Sequence, residues 1–193
     1  MAGLYAIVGD IARARFMLEA RVPYLQLRFK SQPLAPFQAE ISRWRTEFPE
    51  TRLIINDDLE FAERVNAWGV HLGQDDLRRY SKEALTATSL QLGISTHSDE
   101  AIALALEYGP AMLGFGPLFA TTSKETNRPP QGVARLREVV AGCSVPVVAI
   151  GGIKDDNLDE VVGTGVAMVA MIAYLDSFST AAQLDSLIMR MQD

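Results

Sequence analysis

The sequence predicts an α/β fold, a single (β/α)8 TIM barrel spanning residues 1–193. Three observations carry this expectation. Short apolar runs alternate with amphipathic stretches along the whole chain, giving eight strand–helix units. Several runs, notably VPVVAI from Val145, are apolar on both faces, as a parallel sheet covered on both sides requires. The competing architecture, an open doubly wound sheet, uses fewer strands and a glycine-rich first turn, and no G-x-G-x-x-G follows the first run.

Taken in order, Leu4–Val8 reads as the first strand, and Ile11, Ala14 and Leu18 then recur at helical spacing. Tyr24–Phe29 is the second strand. A helix around Phe37–Phe48 follows, with Phe37, Ile41, Trp44 and Phe48 on one face. LIIND from Leu53 precedes the helix LEFAERVNAW, and GVHLG from Gly69 is the fourth strand. The polar helical stretch LRRYSKEAL leads to the fifth, LQLGIST. Ser98 then caps a helix that ends near Gly109. MLGFG is the sixth strand, followed by a loop of roughly fifteen residues before VARLREVV, long for so compact a barrel. VPVVAIGG, NLDEVVG, VAMVAMI and the closing helix TAAQLDSLIMRMQ complete the alternation.

Composition narrows the function. With 48% apolar residues the chain is rich enough for a sizeable core. Its 24 acidic against 18 basic side chains argue against a nucleic acid or an anionic membrane bound through the overall field. An anionic ligand must therefore meet a local cluster of cations. Cys143, the one cysteine, rules out an intrachain disulfide framework or a thiolate-rich metal site. No secretory signal or membrane-spanning run is visible, so a cytoplasmic location is expected.

In such barrels the active site lies at the C-terminal ends of the strands. Gln26, Arg28 and Lys30 alternate at the end of strand two, so one face carries all three. That pattern suits anion binding; a solvated Arg/Lys pair is the alternative. Asn56, Asp57 and Asp58 end strand three, and Asp75 and Asp76 follow strand four. Carboxylates from neighbouring strands, beside cations, suit Mg²⁺ shared with a phosphate. For Asp58 and Asp75, helix capping competes with that role. Ser95 and His97 close strand five, as an anion donor and a proton shuttle or hydrogen-bonded rim residue respectively, while His71 reads as packed structure. The loop PLFATTSKETNRPPQG, with Thr121, Ser123 and Lys124, fits a mobile, phosphate-contacting lid or a solvated connector. Gly151 and Gly152 end strand seven and Val169 and Ala170 lie in strand eight, where barrels often form a phosphate cup.

The motifs QLRFK, IND, HLGQDD, GISTHS, GFGPLFATTSK and VAIGGI, in that order, resemble the thiamine phosphate synthase family over nearly the whole chain. The resemblance implies a Mg²⁺-dependent transferase of thiamine biosynthesis. It would join hydroxymethylpyrimidine diphosphate to a thiazole phosphate and release pyrophosphate. By position, Gln26, Arg28, Lys30 and Asn56 would hold the pyrimidine diphosphate, and Asp57 and Asp76 the Mg²⁺. Ser95 and Lys124 would contact the leaving pyrophosphate. Thr121 and Ser123, with the backbones of Gly152, Val169 and Ala170, would hold the thiazole phosphate. Partners would then be small phosphorylated molecules, not nucleic acid or membrane, with a homodimer as the assembly to look for.

Departures from the family pattern gather at the thiazole end. Ala120 replaces a usual proline, Ser123 a threonine and Ala170 a serine. Phe29 replaces an acidic residue but alternates away from the basic trio, and the connections before strand eight and after strand one are short. Two other readings compete. One is a thiazole tautomerase of the same superfamily using His97, although such proteins lack the basic trio and the GQ-x-D aspartate. The other is a non-catalytic barrel that binds thiamine precursors.

Overall fold

A computed structural model describes residues 1–121 and 129–192. Eight parallel strands close on themselves in chain order, each hydrogen-bonded to its neighbours in sequence, with β8 returning to β1. They are β1 (Gly3–Val8), β2 (Tyr24–Leu27), β3 (Arg52–Asn56), β4 (Gly69–Leu72), β5 (Gln91–Thr96), β6 (Met112–Phe115), β7 (Val147–Ile150) and β8 (Met168–Met171). This is the (β/α)8 barrel that the alternating pattern implies.

The strand alternation divides the apolar residues into two layers. Leu4, Ala6, Val8, Leu25, Leu27, Leu53 and Ile55 point outward into one large core beneath the helices. Tyr5, Ile7, Ile54, Met112, Val148, Met168 and Ala170 point inward and fill the barrel. Helices α1 (Ile11–Glu19), α2 (Gln38–Glu47) and α3 (Leu59–Arg64) supply Ala14, Met17, Leu18, Ile41, Trp44, Phe61 and Ala62 to the outer core. The expected Ile41–Trp44 face is therefore the buried one.

Two sections depart from the sequence reading. The stretch expected to form one polar helix after β4 is two short ones, α4 (Gln74–Leu77) and α5 (Lys82–Ala87), because Ser81 caps the second by accepting from the Ala84 amide. Further along, α6 (Asp99–Leu106), α7 (Gly132–Gly142) and α8 (Leu158–Val162) follow the expected order. An additional one-turn helix, α9 (Ala173–Asp176), then separates β8 from the final α10 (Ala181–Gln192). Arg13 on α1 holds that segment, its guanidinium donating to the carbonyls of Leu175 and Phe178 while lying over the Phe16 ring. At the opposite end the Ala2 amide donates to the Met191 carbonyl (2.8 Å), tying α10 to the start of β1.

Capping sorts the aspartates. Asp58 accepts from the Phe61 amide at 2.8 Å and caps α3. Asp75 does not cap: it lies within α4, whose N-cap is Gly73. No helix among the described residues is long and apolar enough to cross a membrane.

Candidate active site at the C-terminal rim

Inward side chains at the C-terminal strand ends surround a cavity of about 290 Å³. Gln26 and Arg28 reach it from β2, Asn56 and Asp57 from β3, Asp76 from α4, and Ser95 from β5. Thr121 and Ala170 line its far side. Lys30 lies exposed past the end of β2 and is not among the lining residues. Val169 is absent from the lining as well; its side chain packs outward, and its backbone pairs with Leu4 and Ala149 in the sheet. Ser123 and Lys124 lie outside the described residues.

Asn56 and Asp57 are adjacent in sequence, so a continuing strand would send them to opposite faces. Asp57 instead takes φ +64°, a left-handed conformation that aspartate tolerates better than most residues. The strand breaks there and both side chains line the cavity. The Asn56 amide donates to the Asp57 carboxylate, and the Asp57 amide donates to the His71 carbonyl at 2.9 Å. Asp76 is fixed by a bond from the Gly73 amide to its Oδ2 (3.1 Å) and by Arg79 at 3.5 Å.

The two carboxyls meet. Burial, and then the charge and hydrogen-bonding contact of Asp76, push the Asp57 pKa up to about 6, while Arg28 and the Asn56 amide pull it down. At neutral pH the pair therefore holds repelling charge that a cation or proton would relieve.

His71 was expected to be structural, and it is buried, but its ring also borders the cavity. Its Nε2 lies 2.9 Å from Ser95 Oγ. Two glycines make room for it: a Cβ on Gly93 would lie 2.6 Å from His71 Nδ1, and one on Gly114 would lie 3.3 Å from its Cε1. Gly93→Ala is accordingly expected to displace the ring and Ser95 with it, at a stability loss of roughly 1–3 kcal/mol. Denaturant unfolding measures that loss. Tyr5 and Ile7 were also missed, although β1 alternation alone aims them inward. The Tyr5 hydroxyl accepts from Gln26 Nε2 at 2.8 Å, and burial pushes the phenol pKa up, so it stays protonated.

A second, more open cleft of about 520 Å³ adjoins the first and shares Thr121, Ile150, Gly151, Ala170 and Ile172 with it. Gly152 lines this cleft only. At Gly151 (φ +103°) a Cβ would sit 2.5 Å from Pro117 Cα, so the chain after β6 lies directly on the turn after β7. The Leu118 and Phe119 amides donate to the carbonyls of Ile150 and Gly151 there.

The family model described as thiamine monophosphate synthase matches residues 4–175. The chain belongs to the thiamine monophosphate synthase family. It is 36% identical to the thiamine-phosphate synthase of Serratia proteamaculans, with 96% of this chain and 91% of that protein covered. The synthase of Dictyoglomus turgidum is 35% identical over 87% of this chain and 76% of its own. The solved thiamine phosphate pyrophosphorylase of Pyrococcus furiosus superposes with a TM-score of 0.78 at 26% identity, covering 98% of both chains. A 3-hexulose-6-phosphate synthase, at 14% identity and TM-score 0.64, shares the fold alone.

For a member of this family the donor set around Asp57 can be tested against Mg²⁺. Among the described residues no three His, Cys, Asp or Glu side chains gather to hold a metal. Two facing carboxyls open to a cavity, with the Asp57 pKa raised, match an ion that keeps several waters and takes the rest of its oxygens from a phosphate ligand. The residues fit Mg²⁺.

Proposed function

We propose that the chain is a single-barrel thiamine phosphate synthase. It would couple hydroxymethylpyrimidine diphosphate to thiazole phosphate and release pyrophosphate. The observation that carries this reading is the convergence of Arg28, Asn56, Asp57, Asp76 and Ser95, from four successive strand ends, on one cavity. Breaking the bond between the pyrimidine methylene carbon and the diphosphate oxygen develops negative charge on the leaving group. Arg28 and the Ser95 hydroxyl stand where they can meet it. Bound Mg²⁺, held by Asp57 and Asp76, would supply further neutralisation of the diphosphate oxygens.

Gln26, braced by Tyr5, would orient the pyrimidine, and His71 would orient Ser95. The thiazole nitrogen then bonds to the methylene carbon from the Thr121 and Ala170 side, where the second cleft opens. The lone half-buried Cys143 and the acidic balance agree with a cytoplasmic enzyme that acts on small phosphorylated molecules. Incubation with both phosphorylated precursors and Mg²⁺ is expected to yield thiamine phosphate and pyrophosphate in equal amounts. Tight binding of both precursors with no product would mark a binding protein instead.

Ala170 lines both cavities, so a hydroxyl restored there would face the thiazole phosphate. Ala170→Ser is expected to tighten thiazole phosphate binding by on the order of 1 kcal/mol, readable as a lower KM for that substrate alone. An equal or higher KM would count against a cup depleted of donors.

A further inference from the structure

The second cleft is poor in charge. Among the described residues that line it, Lys154 is the one side chain ionised at neutral pH; the others are glycine, alanine, isoleucine, a methionine, a threonine and a tyrosine. The backbone that carries Lys154 is fixed. Its amide donates to Asn157 Oδ1 at 2.9 Å, and Asn157 Nδ2 donates to the Gly152 carbonyl at 3.1 Å, which braces the turn after β7. The ammonium itself rests 2.9 Å from Asp156, with the two side chains 59% and 66% exposed. A pair so open to water contributes little and exchanges readily for another anion. Lysine's flexible stem permits that exchange.

A phosphate monoester arrives with a charge of about −1.5 to −2. Uncharged donors alone meet it weakly, and a charge-assisted bond from an ammonium is roughly twice as strong as a neutral one. We propose that Lys154 binds the phosphate in the second cleft, where Ala170 supplies no hydroxyl, and makes this chain select a phosphorylated thiazole over its free alcohol. The inference rests on the synthase reading, but its test does not depend on turnover.

Three variants, Lys154→Met, Lys154→Arg and Asp156→Asn, would be titrated calorimetrically with thiazole phosphate and with the unphosphorylated alcohol, and assayed for KM. Lys154→Met removes charge and leaves the backbone bond to Asn157 in place. It is expected to weaken thiazole phosphate binding about tenfold or more, with the loss appearing in KM for that substrate and not in KM for the diphosphate. Alcohol binding stays the same. Lys154→Arg restores most of the affinity, and Asp156→Asn matches or exceeds the parent because the ammonium is released. Thiazole phosphate affinity in Lys154→Met within about twofold of the parent overturns the proposal, as does a parent that binds phosphate and alcohol equally. Should the parent make no thiamine phosphate yet lose thiazole phosphate binding on Lys154→Met, the synthase reading fails and Lys154 stands.

Discussion

Replacing Arg28 by alanine is expected to lower turnover by at least about a hundredfold, because it removes the guanidinium proposed to meet charge on the leaving diphosphate. Among the described residues that line the main cavity, Arg28 is the only permanently charged cation. It also acts on Asp57, whose carboxylate it favours against burial and the neighbouring Asp76. Loss of Arg28 should therefore weaken Mg²⁺ binding as well as slow the chemical step. Stability should change by no more than about 0.5 kcal/mol, since the side chain is only partly buried and caps no helix. Steady-state kinetics beside a thermal melt separates these effects. A loss below about threefold in kcat, at an unchanged melting temperature, would remove Arg28 from the chemistry.

The second large effect falls on Asp57 and has opposite signs for function and stability. Asp57→Asn is expected to reduce turnover about a hundredfold or more by removing half of the carboxylate pair that suits Mg²⁺. The same change should raise the melting temperature of the metal-free protein at neutral pH by on the order of a few degrees. Asp57 is raised to about 6 in the folded chain, above the ordinary carboxylate value. The folded state thus holds its proton more tightly than the unfolded chain does. The associated stabilisation is complete below about pH 4 and fades as pH rises through about 6. Between those values the metal-free parent should gain stability on acidification relative to Asp57→Asn. Mg²⁺ should cancel the advantage of the variant at pH 7 by stabilising the parent alone. Melts across this pH range, with Mg²⁺ and with a chelator, read all three effects.

Legibility from sequence followed the physics of each element. The barrel was readable because buried parallel strands and amphipathic helices leave different periods in the chain, and Gln26 and Arg28 were readable because a strand alternates strictly. The same alternation aimed Tyr5 and Ile7 inward, yet their apolar character made them look like core. His71 was read only as packing, since a buried ring that also touches a cavity has no distinct pattern; the glycines at 93 and 114 that clear its place were the available signal. Asp57 could be placed at the site by motif but not by parity, because its face depends on a left-handed turn. Helix α9 is too short to show a period. Lys30 lies exposed beyond β2, which ends at Leu27, and is not among the described residues that line the cavity.

Cationic and metal-holding groups from separate strand ends are expected to serve one diphosphate. Titration of inorganic pyrophosphate into the parent, Arg28→Ala and Asp57→Asn, each with Mg²⁺ and with a chelator, tests it most directly. One Mg²⁺-dependent site per chain, lost or strongly weakened in both variants, is the expected result. Pyrophosphate binding that ignores Mg²⁺ and survives both substitutions would mean that these groups do not hold a diphosphate together.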